Sequence, residues 1–257
     1  MNNTPEFSIV TVCFNSEKTI RTTIESVLNQ KYKNYEYIIV DGASKDSTMD
    51  IIKSYETKFE GRLRYISEPD KGIYDAFNKG IKMSKGKYVW IVNSDDYIEP
   101  NALEELSSIT SQYTFENAPV ISAAMNFITD TKKTVMKSSA QRVNDAYKTD
   151  TMGITHPATL VPKTVYEKVG YYDEQYKIIG DLDWFHRAYG QKTPILFIDT
   201  VITNMVCGGI STQYNFPRSY SDRLHYLKKH HKNIFTRYIS LIRWAIRFYM
   251  KKRRTTA

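Results

Sequence analysis

Over the first hundred residues, short continuous apolar runs alternate with segments whose apolar positions recur three and four residues apart. Residues 7–14 (FSIVTVCF), 35–40 (YEYIIV) and 89–92 (VWIV) are runs of the first kind. Runs of this length, bounded by turn residues, are the mark of strands buried on both faces. Residues 63–66 make a shorter third strand. Between them, Ile20, Ile24, Val27 and Leu28 share a helical face, with Asn15 and Ser16 as N-cap candidates and an end near Asn29. Asp46, Ser47 and Thr48 would cap a second helix running to about Tyr55. Ile73, Phe77 and Ile81 mark a third over 73–82. Three strand–helix units followed by a fourth strand predict a doubly wound, mostly parallel sheet of the α/β class.

Beyond Pro100 the pattern changes. A helix is expected over 102–111, β-like runs over 120–129 and 134–137, and a polar, poorly patterned stretch over 138–152. An extended segment at 156–161, helices at 163–169 and 181–189, and a strand or two within 195–206 complete an α+β half. Three regions are therefore expected: 1–97, 98–217 and a tail, 218–257. The tail reads as a helix over 233–254, with Ile234, Tyr238, Leu241, Ile242, Ala245, Phe248 and Tyr249 on one face and Arg243, Arg247 and Lys251 on another.

Composition narrows the class. The 257 residues are 41% hydrophobic and 25% charged, as in ordinary globular proteins. Cys13 and Cys207 are too few and too far apart for a disulfide framework or a thiolate metal site and read as free thiols of a reducing compartment. Neither a secretory leader nor a membrane-spanning run is evident, which places the body in the cytoplasm. Residues 218–257 hold 12 of the 36 Lys and Arg but one acid, Asp222, leaving 24 basic against 27 acidic residues in the rest. A basic aromatic helix on a slightly acidic body suits an anionic membrane surface. Packing on its own body, or on a second copy of the chain, is the competing account.

The chemistry gathers at strand ends. The run at 89–92 opens into Asn93, Ser94, Asp95 and Asp96, and the second strand ends at Asp41. In open α/β sheets ligands bind beyond the carboxyl ends of the strands. Adjacent carboxylates there suit a hard divalent cation carrying phosphate oxygens.

Four stretches, VCFNSEKTI (12–20), YIIVDGASKDST (37–48), ISEPDKGIYDAFNKGI (66–81) and IVNSDDY (91–97), together resemble the inverting glycosyltransferases of family 2, which have the GT-A fold. The likeness thins through the middle and returns at HPAT (156–159), GDLDW (180–184) and GGIS (208–211). It implies a nucleotide-sugar donor, UDP-sugar first, and a divalent metal, Mg²⁺ or Mn²⁺. A hexosyl or N-acetylhexosaminyl group would be displaced directly onto a hydroxyl of a growing, lipid-linked surface glycan, such as lipopolysaccharide or capsule. The enzyme would act peripherally at the inner face of the cytoplasmic membrane.

The resemblance also assigns residues. Val12, Phe14, Asn15, Glu17, Asp41 and Ser44 would grip base and ribose, although Glu17 reads equally as a solvated first-turn acid and Asp41 as a turn cap. Asp70 would lie near the nucleoside, with Lys71 and Gly72 towards the diphosphate and Asn78 as a further contact. Asn93 stands where the family's Asp-x-Asp has its first carboxylate, so with Ser94 it leads an amide version of the motif. The metal then falls to Asp95, with Asp96 second. In GDLDW, Asp181 matches the general base. Asp183 lies two residues on, off the same helix face. Trp184 and His156 would line the acceptor pocket, core packing being the alternative for both. Gly208, Gly209 and Ser211 would form a loop over the diphosphate or a plain turn. Two other classes compete. A nucleotidyltransferase would need a Gly- and Arg-rich loop after the first strand, which VCFNSEK lacks. A nucleic-acid-binding module built on the tail leaves the strand-end carboxylates unexplained.

Overall fold

The computed structural model describes residues 4–208, 216–231 and 233–255. Strands β1 (Phe7–Cys13), β2 (Tyr35–Asp41), β3 (Leu63–Ser67) and β4 (Tyr88–Ile91) are parallel in the order β3-β2-β1-β4. Helices α1 (Ile20–Leu28), α2 (Thr48–Ser54) and α3 (Ile73–Met83) connect them. The alternation of a strand distributes β1 between two cores: Phe7, Ile9 and Cys13 face one, Val10 and Val12 the other. Ile20, Ile24 and Val27 of α1 and Leu103 and Leu106 of α4 (Ala102–Thr110) cover the first. Tyr74, Phe77 and Ile81 of α3 cover the second, with α6 (Lys163–Val169), α7 (Gly180–Gly190) and α8 (Phe216–His230).

The sheet continues without a break past residue 97. Strand β8 (Thr159–Pro162) adds antiparallel to β4, β6 (Val120–Ile128) adds to β8, and β9 (Ile195–Val206) runs parallel to β6. The short β5 (Tyr97–Ile98) closes that edge on β9, and β7 (Lys133–Met136) pairs with β6. The expected strand or two at 195–206 is a single strand, with its register against β6 shifting on both sides of Ala124.

Three local departures have physical causes. Helix α1 begins at Ile20 rather than at the cap candidates, because Asn15 is left-handed (φ 50°) and the Ser16 N–H goes to the Thr48 hydroxyl at 2.7 Å. The polar stretch 138–152 contains a helix, α5 (Ala140–Lys148), capped by the Ser139 side chain and burying only Val143 and Ala146. Helix α8, which the pattern did not announce, packs on α7 and on α9 (Ile234–Thr255). A buried polar cluster holds the tail to the body. Asp150 accepts from the hydroxyls of Ser240 (2.5 Å) and Tyr226 (3.1 Å) and from His231 (2.9 Å), with Arg223 at 3.5 Å.

Candidate functional site

The C-terminal ends of β1 to β4 lie along one edge, and the loops that leave them are laced together. The Ser16 and Ser94 hydroxyls meet at 2.9 Å, joining the loop after β1 to the turn after β4. Asn15 donates its N–H to the Ser44 hydroxyl at 2.8 Å and accepts from Lys45 N at 2.8 Å. Glu17 accepts from Ser47 N at 3.0 Å and donates its own N–H to Asp46 at 3.1 Å. Phe14 projects from this floor with 61% of its surface exposed, whereas the Val12 side chain is buried in the strand.

Asp41 is fully buried. Its carboxylate accepts from Ser44 N at 3.0 Å, from the Ser67 hydroxyl at 2.6 Å, and from the Ser44 hydroxyl and the Cys13 thiol. The expected direct contact with a base or ribose is therefore corrected: Asp41 has no exposed oxygen to offer and instead fixes Ser44 and Ser67 from behind. Burial and the neighbouring Asp41 charge push the Cys13 thiol far above its usual range, so it is an inert donor. Asp70 sits over Gly42, where a Cβ would come within 2.5 Å of its Oδ2. A side chain there would displace the Asp70 carboxylate, so the bare backbone lets the half-buried Asp70 lie over Gly42, close to Phe14. Asp70 Oδ1 accepts from Gly72 N at 2.9 Å. Lys71 is exposed, and its N–H goes to Asp75 at 2.9 Å.

After β4 the chain turns tightly, Asp96 N bonding Asn93 O at 3.1 Å. Asp95 is half-buried and takes no hydrogen bond from any side chain among the described residues. Burial raises its pKa, the mark of a carboxylate short of a positive partner. Asp96 points the other way. It is 2% exposed, and its Oδ1 accepts from Val206 N at 3.0 Å. Burial first and the Asp95 charge second bring its pKa to about 7. Its Oδ2 and the Asn93 Oδ1 are buried without partners among the described residues. The second metal ligand is thus corrected: an oxygen sealed under the turn offers no coordination site to a cation entering from solvent. A divalent ion fits at Asp95, where an unpaired carboxylate meets solvent. Among the described residues no cluster of three or more His, Cys, Asp or Glu could hold it alone, so its other ligands would be substrate oxygens and water.

The start of α7 packs against the head of α3, the Tyr74 hydroxyl reaching Ile178 O at 2.7 Å. Gly180 begins the helix, and a Cβ there would lie 2.8 Å from the Tyr74 ring, so the glycine lets the first turns of α3 and α7 touch. Asp181 follows, half-buried, with Oδ1 accepting from Leu182 N at 2.9 Å and from the Tyr74 hydroxyl at 3.3 Å. Its Oδ2 has no hydrogen bond among the described residues. Burial raises its pKa, and the field of nearby His156 partly opposes this. His156 bonds the Tyr172 hydroxyl at 3.0 Å and stacks on Phe77, and burial lowers its pKa, favouring the neutral ring.

Three further expectations are corrected. Asn78 is 3% exposed and uses both ends of its amide on the 172–174 loop: Oδ1 accepts from Tyr172 N at 3.0 Å, and Nδ2 donates to Tyr172 O at 2.9 Å. It is a brace, not a donor contact. Trp184 is 2% exposed, donates to Gly170 O at 3.0 Å and packs on Tyr166 and Tyr172, so it is core and offers no face to a sugar. Asp183 has no exposed surface. It pairs with Arg187 at 2.9 Å, Lys229 at 3.0 Å and His230 at 2.8 Å. Burial alone would raise its pKa, but the His230 bond and the Arg187 charge outweigh that and hold it far below the usual carboxylate range. It is a structural ion-pair centre and has no access to an acceptor. Of the GGIS stretch only Gly208 is described (φ 138°); Gly209 and Ser211 lie outside the described residues.

Pattern reading also passed over Tyr74 and Tyr172. Their rings stack at 5.6 Å and carry hydroxyls to Asp181 and His156 respectively. The available signal was the place of Tyr74 in the first turn of α3, beside Asp70, Lys71 and Gly72.

The site thus combines a half-buried carboxylate after β4 with a second at the start of α7, on an α/β sheet whose first four strands are parallel. The chain belongs to glycosyl transferase family 2, whose model matches residues 8–170. It is 34% identical over 142 residues to EpsH of Bacillus subtilis (55% of this chain, 40% of that protein) and 32% identical over 190 residues to the uncharacterised glycosyltransferase RP339 of Rickettsia prowazekii (70% and 58%). It thus spans about half the length of these relatives. The fold is that of S. aureus TarS, a GT-A protein solved with UDP-GlcNAc, with a TM-score of 0.70 at 20% identity over 92% of this chain and 70% of that one.

Proposed function

We propose that the chain is an inverting glycosyltransferase that moves a hexosyl or N-acetylhexosaminyl group from a UDP-sugar to a hydroxyl of a cell-surface glycan. The observation that carries this is the pair of burial-raised carboxylates, Asp95 after the C-terminal end of β4 and Asp181 at the start of α7, the second tied by the Tyr74 hydroxyl (3.3 Å) to the head of α3 beside Asp70, Lys71 and Gly72. Crystals of TarS with UDP and with UDP-GlcNAc support the choice of nucleotide.

In this reading the exposed Phe14 ring stacks on the base, and Ser44 and Asp70 contact the nucleoside, held by Asp41 and Gly42. Asn15 and Glu17 keep the two loops in register, and Asn93 and Ser94 set the turn. Lys71 and Gly72 approach the diphosphate. Mg²⁺ or Mn²⁺ held by Asp95 would neutralise charge on the leaving diphosphate. The Asp181 carboxylate accepts the proton of the acceptor hydroxyl as that oxygen attacks the anomeric carbon, and its raised pKa makes it a better base than a solvated aspartate. Tyr74 fixes its Oδ1, which leaves Oδ2 for the acceptor. Neutral His156 lines the acceptor side. Helix α9, with an exposed apolar stripe and flanking arginines, rests on an anionic membrane that presents a lipid-linked acceptor.

The test is turnover of a panel of UDP-hexoses and UDP-N-acetylhexosamines with Mg²⁺ or Mn²⁺. At least one donor should be hydrolysed, chelator should stop the reaction, and Asp95→Ala should lose turnover and metal dependence together. An Asp95→Ala protein that turns over donor in excess chelator would overturn the assignment.

A further inference from the structure

The last 40 residues hold one acid, Asp222, and it is 3% exposed on α8. Its carboxylate accepts three consecutive backbone N–H groups: Lys177 at 2.9 Å, Ile178 at 2.6 Å and Ile179 at 3.1 Å. Three successive amides converging on one anion make a nest, and hydrogen bonds to a full charge are the strong kind. The segment so gripped ends where α7 begins, two residues before Asp181. It also meets the donor side of the groove: Ile178 O accepts from the Tyr74 hydroxyl at 2.7 Å, and Lys177 Nζ donates to Lys71 O at 2.7 Å. Helix α8 is itself pinned beside this point, Lys229 reaching Asp173 at 2.8 Å and His230 reaching Asp183. A carboxylate on the otherwise basic tail therefore holds the backbone that aims Asp181, Tyr74 and Lys177.

We propose that Asp222 is a positioning residue for sugar transfer: by anchoring residues 177–179 to α8 it sets the approach of the Asp181 carboxylate to the acceptor hydroxyl. The C-terminal region thereby becomes part of the catalytic apparatus, in addition to any surface it presents. The inference rests on the reading of Asp181 as the base.

Two measurements on the full chain test it. Amide hydrogen exchange over residues 177–183 reads the anchor without any substrate. Asp222→Ala should speed exchange there about tenfold or more while leaving β1 unchanged, and Asp222→Asn, which keeps one acceptor oxygen, should fall between. Turnover of whichever UDP-sugar the parent hydrolyses reads the consequence. Misplacing a reacting group by about 1 Å can cost about 100-fold, so Asp222→Ala should lower kcat by about that factor with donor KM changed less than about twofold. In an Asp181→Asn background, Asp222→Ala should cost almost nothing more, because both act through one group. Unchanged exchange in Asp222→Ala overturns the anchoring and leaves the base assignment standing. An equal loss of kcat in both backgrounds, or a loss confined to KM, overturns the positioning role. Parental turnover in Asp181→Asn itself overturns the base assignment, and the positioning role with it.

Discussion

Asp181 and Asp183 are two residues apart on α7, and their surroundings assign them opposite work. Asp181 keeps one carboxylate oxygen without a hydrogen bond among the described residues, and burial raises its pKa. Asp183 is enclosed by Arg187, Lys229 and His230, which hold it ionised. Asp181→Asn should therefore keep UDP affinity, as calorimetry would show, and lose transfer by about 100-fold or more. Because the base must be deprotonated, kcat should rise with pH through the raised Asp181 pKa, and this limb should vanish in the variant. Asp183→Asn should instead cost up to about 3 kcal/mol of stability, since it leaves the partly buried Arg187 and Lys229 facing a neutral amide, with kcat per folded molecule falling far less than in Asp181→Asn. A chemical denaturation curve beside a rate distinguishes the two. The spacing of the two acids already implied that only one could face the acceptor. Which one depended on the partners α8 supplies from 46 and 47 residues away, and no local pattern carries that. Asn78 and Trp184 misled for the same reason: each has the right chemistry for a ligand, and Tyr172 N and Gly170 O claimed it first.

At the scale of elements, the four parallel strands and their helices were legible because strand burial on both faces writes continuous apolar runs, and α1 and α3 write a 3.6-residue stripe. Helices α5 and α8 were not, because each buries few apolar side chains (Val143 and Ala146, Tyr226 and Leu227) and is otherwise held by polar contacts. Their junction is the buried chain from His186 through Tyr226 to Asp150, with His186 Nδ1 at 2.7 Å from the Tyr226 hydroxyl and Nε2 facing Thr151 O. Burial lowers the His186 pKa from its ordinary 6.5 to about 4, against a smaller upward pull from the Thr151 carbonyl. A histidine whose folded pKa is depressed contributes stability in full above the unfolded value, and loses it as pH falls through the folded one. The window is thus pH 6.5 down to 4, and the loss is about 3 kcal/mol. Urea midpoints of the parent and of His186→Gln across that range should diverge by this drop, the variant lacking it. Parallel curves would show that His186 protonates at no cost to the fold.

For the whole molecule, the charge asymmetry along the chain becomes a spatial arrangement. The body carries Asp95 and Asp181, α8 binds that body through Asp222, Arg223, Lys229 and His230, and α9 keeps a face that none of the described residues covers. Phe235 (74% exposed), Tyr238, Ile239, Ile242 and Ile246 form a stripe on α9, with Ser240 buried opposite them against Asp150. The predicted apolar face is therefore split: Leu241 packs inward and Ile242 outward, because α8 takes one side of the helix. None of the helices is long and apolar enough, among the described residues, to cross a membrane. An exposed apolar stripe beside Arg243 and Arg247, in a region with one acid, matches the geometry of a helix lying in an anionic interface. The full chain should co-sediment with vesicles containing phosphatidylserine or phosphatidylglycerol and not with purely zwitterionic ones, and added salt should weaken the binding. Phe235→Ser with Ile242→Ser should reduce binding about tenfold or more through lost apolar burial. Arg243→Gln should cost about 1 kcal/mol and lessen the salt dependence. A chain that ignores anionic vesicles but forms concentration-dependent dimers, lost in the Phe235→Ser, Ile242→Ser variant, would assign this face to a second copy instead.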